Sequence, residues 1–263
     1  MKTLLTFIMV AFVATVSVSA QDWAKARLEK SPRHGEWVKV KHGDREVNCF
    51  ITYPEVKEKA TAVVVVHEIF GLSDWVRGVT DQLAEAGYIA IAPDLLTGTA
   101  GAEGSEGARR VIGNLPADQI TADLNAVVDY VAKLPSCNGK VAVSGFCWGG
   151  GQVFRFATDN KDIKAVLSFY GAVQTDKTAV TKINCPVYGF YGEKDARITA
   201  TVADATKAMK DAGKTYEPVV YPGAGHGFMR EGETPTSTDA NHEANIKARD
   251  EAWKRIKELL GKI

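Results

Sequence analysis

From residue 62 onward the chain alternates short apolar runs of strand length with longer stretches of helical period. Residues 62–67 include four consecutive valines, Val63 to Val66, the mark of a strand covered on both faces. Residues 74–86 carry helical spacing and stop at Gly87; 88–93 read as the next strand. A long helix is predicted over 117–134, closed by Pro135, and a short apolar strand over 140–144. A helix over 150–157, strands over 165–170 and 186–191, a helix over 200–212, a strand over 217–221 and a closing helix over 242–260 complete the series. Ahead of it, 37–41 and 47–53 alternate apolar and polar residues around Gly43-Asp44, a hairpin signal, and 21–35 read as a polar lead-in. This order predicts an α/β protein with a mostly parallel central sheet, helices on both faces and an antiparallel N-terminal edge. The one irregular stretch, 96–115, is rich in Gly and Ala, carries Arg109-Arg110, and reads as a loop or short helix beside the site.

The first twenty residues differ in kind. Lys2 precedes an apolar run over 4–16 and then Val18-Ser19-Ala20, which together predict a secretory signal peptide over 1–20. The run is shorter than the ~20 residues a spanning helix needs, so a retained anchor is disfavoured. No cysteine sits just after the cleavage site, which argues against a lipid anchor. The expectation is an exported protein, periplasmic or extracellular, with residues 21–263 forming one domain. Lys plus Arg balance Asp plus Glu at 32 each, which points away from nucleic acid and anionic membrane as partners. A monomer is expected, with a dimer as the alternative. The cysteines Cys49, Cys137, Cys147 and Cys185 show neither a C-x-x-C pair nor metal-like spacing, so they offer no metal site.

Candidate chemistry begins at Gly145-Phe146-Cys147-Trp148-Gly149. A nucleophile between glycines, with a strand before it and a helix after it, is a nucleophile elbow with cysteine in the usual serine position. The helix N-terminus behind it favours a thiolate. A thiol nucleophile needs a base, and the base an orienting acceptor, in the chain order nucleophile, acid, histidine. Asp195 in Gly192-Glu193-Lys194-Asp195 follows one strand, with Glu193 as its neighbouring competitor. His226, between Gly225 and Gly227, follows the last strand. The oxyanion donors expected are the backbone N–H groups of Trp148, after the nucleophile, and Ile69, after the first buried strand.

Taken together, Val66-His67-Glu68-Ile69-Phe70-Gly71-Leu72, the Cys147 elbow, Tyr191-Gly192-Glu193-Lys194-Asp195 and His226-Gly227-Phe228-Met229-Arg230 resemble the dienelactone hydrolase family. The resemblance implies an α/β-hydrolase fold, a Cys147-His226-Asp195 triad, no cofactor, and hydrolysis of a small ester or lactone through an acyl-thioester. It further implies that Glu68 hydrogen-bonds the resting thiol and helps to activate it, and that Arg230 pairs with a substrate carboxylate. The family's second arginine corresponds to Arg109 or Arg110, yet Val111 to Leu115 lacks the aromatic residues that follow it in the family. The competing readings are another ester or thioester hydrolase on the same scaffold and a non-catalytic binding protein that retains the pocket. A thiol peroxidase is a third, for which no resolving cysteine is evident.

Overall fold

The computed structural model describes residues 21–263; the expected signal peptide, 1–20, lies outside them. The described chain opens with helix α1 (Asp22–Glu29), where the sequence reads as a lead-in. Only Ala24 of that helix is fully buried, so it lacks the apolar stripe by which helices are recognised. The hairpin follows as β1 (Gly35–His42) and β2 (Arg45–Thr52), then β3 (Ala60–Val66), α2 (Asp74–Glu85) and β4 (Ile89–Pro93). The irregular stretch contains α3 (Gly104–Val111). After it come α4 (Ala117–Ala132), β5 (Cys137–Phe146), α5 (Trp148–Phe156), β6 (Ala165–Phe169) and α6 (Lys177–Val180). The chain ends through β7 (Val187–Gly192), α7 (Ala196–Thr199), α8 (Val202–Asp211), β8 (Tyr216–Tyr221), α9 (Phe228–Glu231) and α10 (His242–Leu260).

Eight strands form one sheet in the order β1-β2-β4-β3-β5-β6-β7-β8. The β1–β2 and β2–β4 pairs are antiparallel and all later pairs parallel, which is the mixed sheet expected. Side chains of β3 show why it reads as an unbroken apolar run. Val64 and Val66 pack with Leu124 and Val127 of α4 and Val153 of α5 on one face. Val63 and Val65 pack with Val76 and Val79 of α2 and Ala252 of α10 on the other. Alternate residues of one strand thus enter two separate cores. Each fully buried valine contributes about 1.5–3 kcal/mol.

Two departures from the sequence pattern bear on the site. The helix predicted over 200–212 forms as α8, and a separate turn of helix that the sequence did not predict, α7, precedes it and starts directly from Asp195. Thr199 Oγ1 donates back to Gly192 O at 2.7 Å and Thr201 Oγ1 to Ile198 O at 2.6 Å, which closes α7 before α8 begins. The irregular stretch is anchored rather than loose at its start. Arg45 donates Nη1 to Thr97 O at 2.9 Å and Nε to Asp123 Oδ1 at 2.8 Å, and Asp123 is fully buried on α4.

Candidate active site

The strand ends of β3, β5, β6, β7 and β8 lie side by side along one edge of the sheet, and their loops build the site. Cys147 sits between β5 and α5 with φ 54° and ψ −116°, a strained backbone for a residue with a Cβ, costing of order 1–3 kcal/mol. Its N–H is held by Phe169 O at 3.0 Å. The flanking glycines are required by contact: a Cβ on Gly145 would lie 2.3 Å from Gly149 O, and one on Gly149 2.5 Å from His67 O. The same closeness brings the loop carrying Ile69 against the start of α5. Trp148 is the first residue of that helix, so its N–H has no intrahelical acceptor. The Trp148 ring stacks on His67, centroids 5.6 Å apart.

Asp195 and His226 come together because their loops touch. A Cβ on Gly192 would lie 2.5 Å from Gly225 O, and Lys194 N–H donates to Ala224 O at 2.8 Å. Glu193, the competing acid, accepts from Gly223 N–H at 2.8 Å and clamps these loops together. Asp195, buried, lies with Oδ2 2.5 Å from His226 Nδ1. His226 Nε2 lies 3.1 Å from Cys147 Sγ. Sulfur, imidazole and carboxylate form one hydrogen-bonded chain. Burial alone would lower the His226 pKa, but the bonds to Asp195 and to the sulfur outweigh it and raise it to about 10. The imidazole therefore carries its proton at neutral pH.

The structure departs from the resemblance at Glu68. The carboxylate is buried and accepts from Arg230 Nε at 2.9 Å, while the thiol's partner is His226. A guanidinium offers a charge-assisted bond, far stronger than the weak S–H donor. Burial still pushes Glu68 above the usual carboxylate range, with Arg230 offsetting part of the rise. Arg230 has a second partner as well. Its Nη1 also donates to Glu231 Oε1 at 2.7 Å, so it holds two carboxylates of its own chain. Arg109 is half-exposed, 3.6 Å from Glu106, with its guanidinium 5.6 Å from the Phe70 ring centre. Arg110 is exposed. In place of aromatic residues, Ile112, Val111 and Leu115 pack with Ile69 and Trp148 in one aliphatic cluster.

Three supporting residues escaped the sequence reading. His67 is fully buried and lowered in pKa by burial, hence neutral. Its Nε2 accepts from Leu95 N–H at 3.3 Å, so Nδ1 carries the proton and donates to Glu68 O at 2.8 Å. Asn245 of α10 accepts Gly225 N–H at 2.8 Å and fixes the histidine loop from below. The Tyr170 ring packs edge-on against His226 at 5.2 Å. Of these only His67, adjoining Glu68 in the first motif, carried a local signal; Asn245 lies 20 residues from the glycine it holds.

All four cysteines are free, and Cys49, Cys137 and Cys185 are buried. Among the described residues no cluster of His, Cys, Asp or Glu is suited to a metal, and no helix is long and apolar enough to cross a membrane.

Comparisons of sequence and of structure with known proteins point to one family. The sequence profile of the dienelactone hydrolase family matches residues 47–263. A Salmonella typhimurium protein provisionally named carboxymethylenebutenolidase is 32% identical over 236 residues, covering 81% of this chain and 82% of its own. A Yersinia pestis protein of the same provisional name is 29% identical over 237 residues, covering 84% of this chain and 85% of its own. A crystal structure from Klebsiella pneumoniae, provisionally named a dienelactone hydrolase, superposes with a TM-score of 0.76 at 26% identity. It covers 88% of this chain and 99% of that one.

Proposed function

The chain belongs to the dienelactone hydrolase family, and on that premise we propose an exported hydrolase of carboxylic esters or lactones that works through Cys147, His226 and Asp195. The observation that carries the reading is the unbroken path from Asp195 Oδ2 through His226 to Cys147 Sγ, at 2.5 and 3.1 Å. Its α/β-hydrolase fold puts that path at the loop edge of the sheet, where nucleophile, acid and base belong in chain order.

The sulfur attacks the carbonyl carbon as the thiolate, and the carbonyl π pair moves onto oxygen. That oxyanion is received by the N–H groups of Ile69 and Trp148, a donor of this kind being worth about 10²–10³ in rate. His226 Nε2–H then protonates the departing alkoxide, leaving an acyl-thioester on Cys147. Water, deprotonated by the now neutral imidazole, attacks the thioester; collapse expels the thiolate and the acid leaves. Asp195 holds Nδ1–H throughout, so that Nε2 faces the chemistry. Proton transfer by a positioned imidazole contributes about 10²–10⁴. Export rests on the sequence of residues 1–20, which ends in the small-residue pattern of a cleavage site.

Iodoacetamide tests the assignment without any variant. One thiol, Cys147, is expected to alkylate at neutral pH with parallel loss of 4-nitrophenyl acetate hydrolysis, because the other three are buried. Activity that persists after full modification of Cys147 would refute the nucleophile.

A further inference from the structure

Arg230 is an unusual wall for a substrate pocket because its charge is already answered twice. Nε is given to Glu68 at 2.9 Å and Nη1 to Glu231 at 2.7 Å. The guanidinium also lies 5.2 Å from the centre of the Phe70 ring. Glu231 is built into the wall, for its other oxygen accepts from Ser237 Oγ at 3.3 Å. Its backbone carbonyl lies 3.1 Å from His242 Nδ1. One positive charge thus faces two negative ones.

The surroundings add to that excess. Arg109, whose guanidinium lies 5.6 Å from the Phe70 ring centre, is answered by Glu106 at 3.6 Å. A cleft of about 650 Å³ runs from Arg230 and Phe70 past Asp94 and Glu103, and past Asp74 and Glu106, which are paired with Arg77 and Arg109. A carboxylate-bearing substrate would approach through like charge. On arrival it would find Nε and one Nη1 hydrogen already committed, so a fork through Nη1 and Nη2 would have to share Nη1 with Glu231. Bound through Nη1 and Nη2 it would be a third carboxylate beside one guanidinium, and taking Nε instead would leave Glu68 a buried carboxylate without its partner. An uncharged ester meets none of these costs, and the aliphatic cluster of Ile69, Val111, Ile112 and Leu115 gives it apolar contact.

Resting on the hydrolase reading, we propose that Glu231 determines specificity: it compensates Arg230 and sets the site for uncharged aliphatic esters over carboxylate-bearing ones. Two esters of equal length and equal leaving group separate the cases, 4-nitrophenyl hexanoate and the mono-4-nitrophenyl ester of adipic acid. For the wild-type protein kcat/KM is expected to favour the hexanoate by about tenfold or more. In Glu231→Gln the adipate-to-hexanoate ratio should rise by about fivefold, the worth of one partly exposed ion pair. Glu231→Asp, which keeps the charge, should stay near the wild-type ratio. A general structural defect would lower both rates together and leave the ratio where it was. Equal turnover or preference for the adipate by the wild type, or an unmoved ratio in Glu231→Gln, would overturn the inference alone. Turnover of neither ester would overturn the hydrolase reading and the inference with it.

Discussion

Cys147→Ala is expected to lower hydrolysis of 4-nitrophenyl acetate by about 10⁴-fold or more while the fold survives. The size follows from what the substitution removes. Without the sulfur there is no acyl-enzyme, and the oxyanion N–H groups of Ile69 and Trp148, which belong to the backbone, can assist only direct attack by water. Stability should fall only modestly, since the side chain is half-buried and its loss removes the sulfur's share of the raised His226 pKa while the Asp195 bond remains. Relief of the non-ideal backbone is not expected either, because alanine bears the same Cβ at φ 54°. Near-native circular dichroism with activity at background level is the predicted pair of results. Turnover within tenfold of wild type would mean that the sulfur is not the nucleophile.

Asp195→Asn is the second large effect, expected to reduce kcat by about 10³–10⁴-fold. The amide occupies the same space but carries no charge to stabilise the imidazolium, and it can turn its NH₂ toward Nδ1. That would force the proton onto Nε2 and leave the wrong tautomer facing the sulfur. The variant also has a signature in pH. The folded-state pKa of His226 is raised from 6.5 to about 10, in part by Asp195, so protonation of the imidazole favours the folded protein. That stabilisation is complete below about pH 6.5 and is lost as pH rises toward 10. Thermal melts of wild type and Asp195→Asn should therefore differ most near pH 6 and converge at the alkaline end of that window. A gap that widens with rising pH would contradict the assigned partnership, and a kcat within tenfold of wild type would remove Asp195 from the triad.

What could be read from sequence, and what could not, divides by the range of the interactions. Val63 to Val66 declare a doubly covered strand because each residue's own burial shows in its chemistry. The elbow was legible because Gly145 and Gly149 answer contacts a few residues away and across the adjoining strand, and only glycine fits them. Asp195 and His226 were found from their places after strands, and the sheet order then set them at hydrogen-bond distance. The pairing of Glu68 with Arg230 spans 162 residues and leaves no local trace, so the resemblance sent one to the thiol and the other to a ligand. Arg109 was named from the resemblance, and its contact with Glu106 at 3.6 Å, one turn away on α3, is the one part of its surroundings that sequence spacing shows. Helix α1 escaped because only Trp23 and Ala24 pack into the core beside α2, while Asp22, Lys25, Arg27 and Glu29 break up any longer apolar stripe.

Rapid quenching of the protein with 4-nitrophenyl acetate in acid, followed by mass spectrometry of its peptides, addresses the covalent step that the triad implies. The account predicts an acetyl group on the peptide containing Cys147, formed within the first turnover and lost again at the steady-state rate. An acetyl group carried elsewhere, or none at any time while 4-nitrophenol is released, would contradict it.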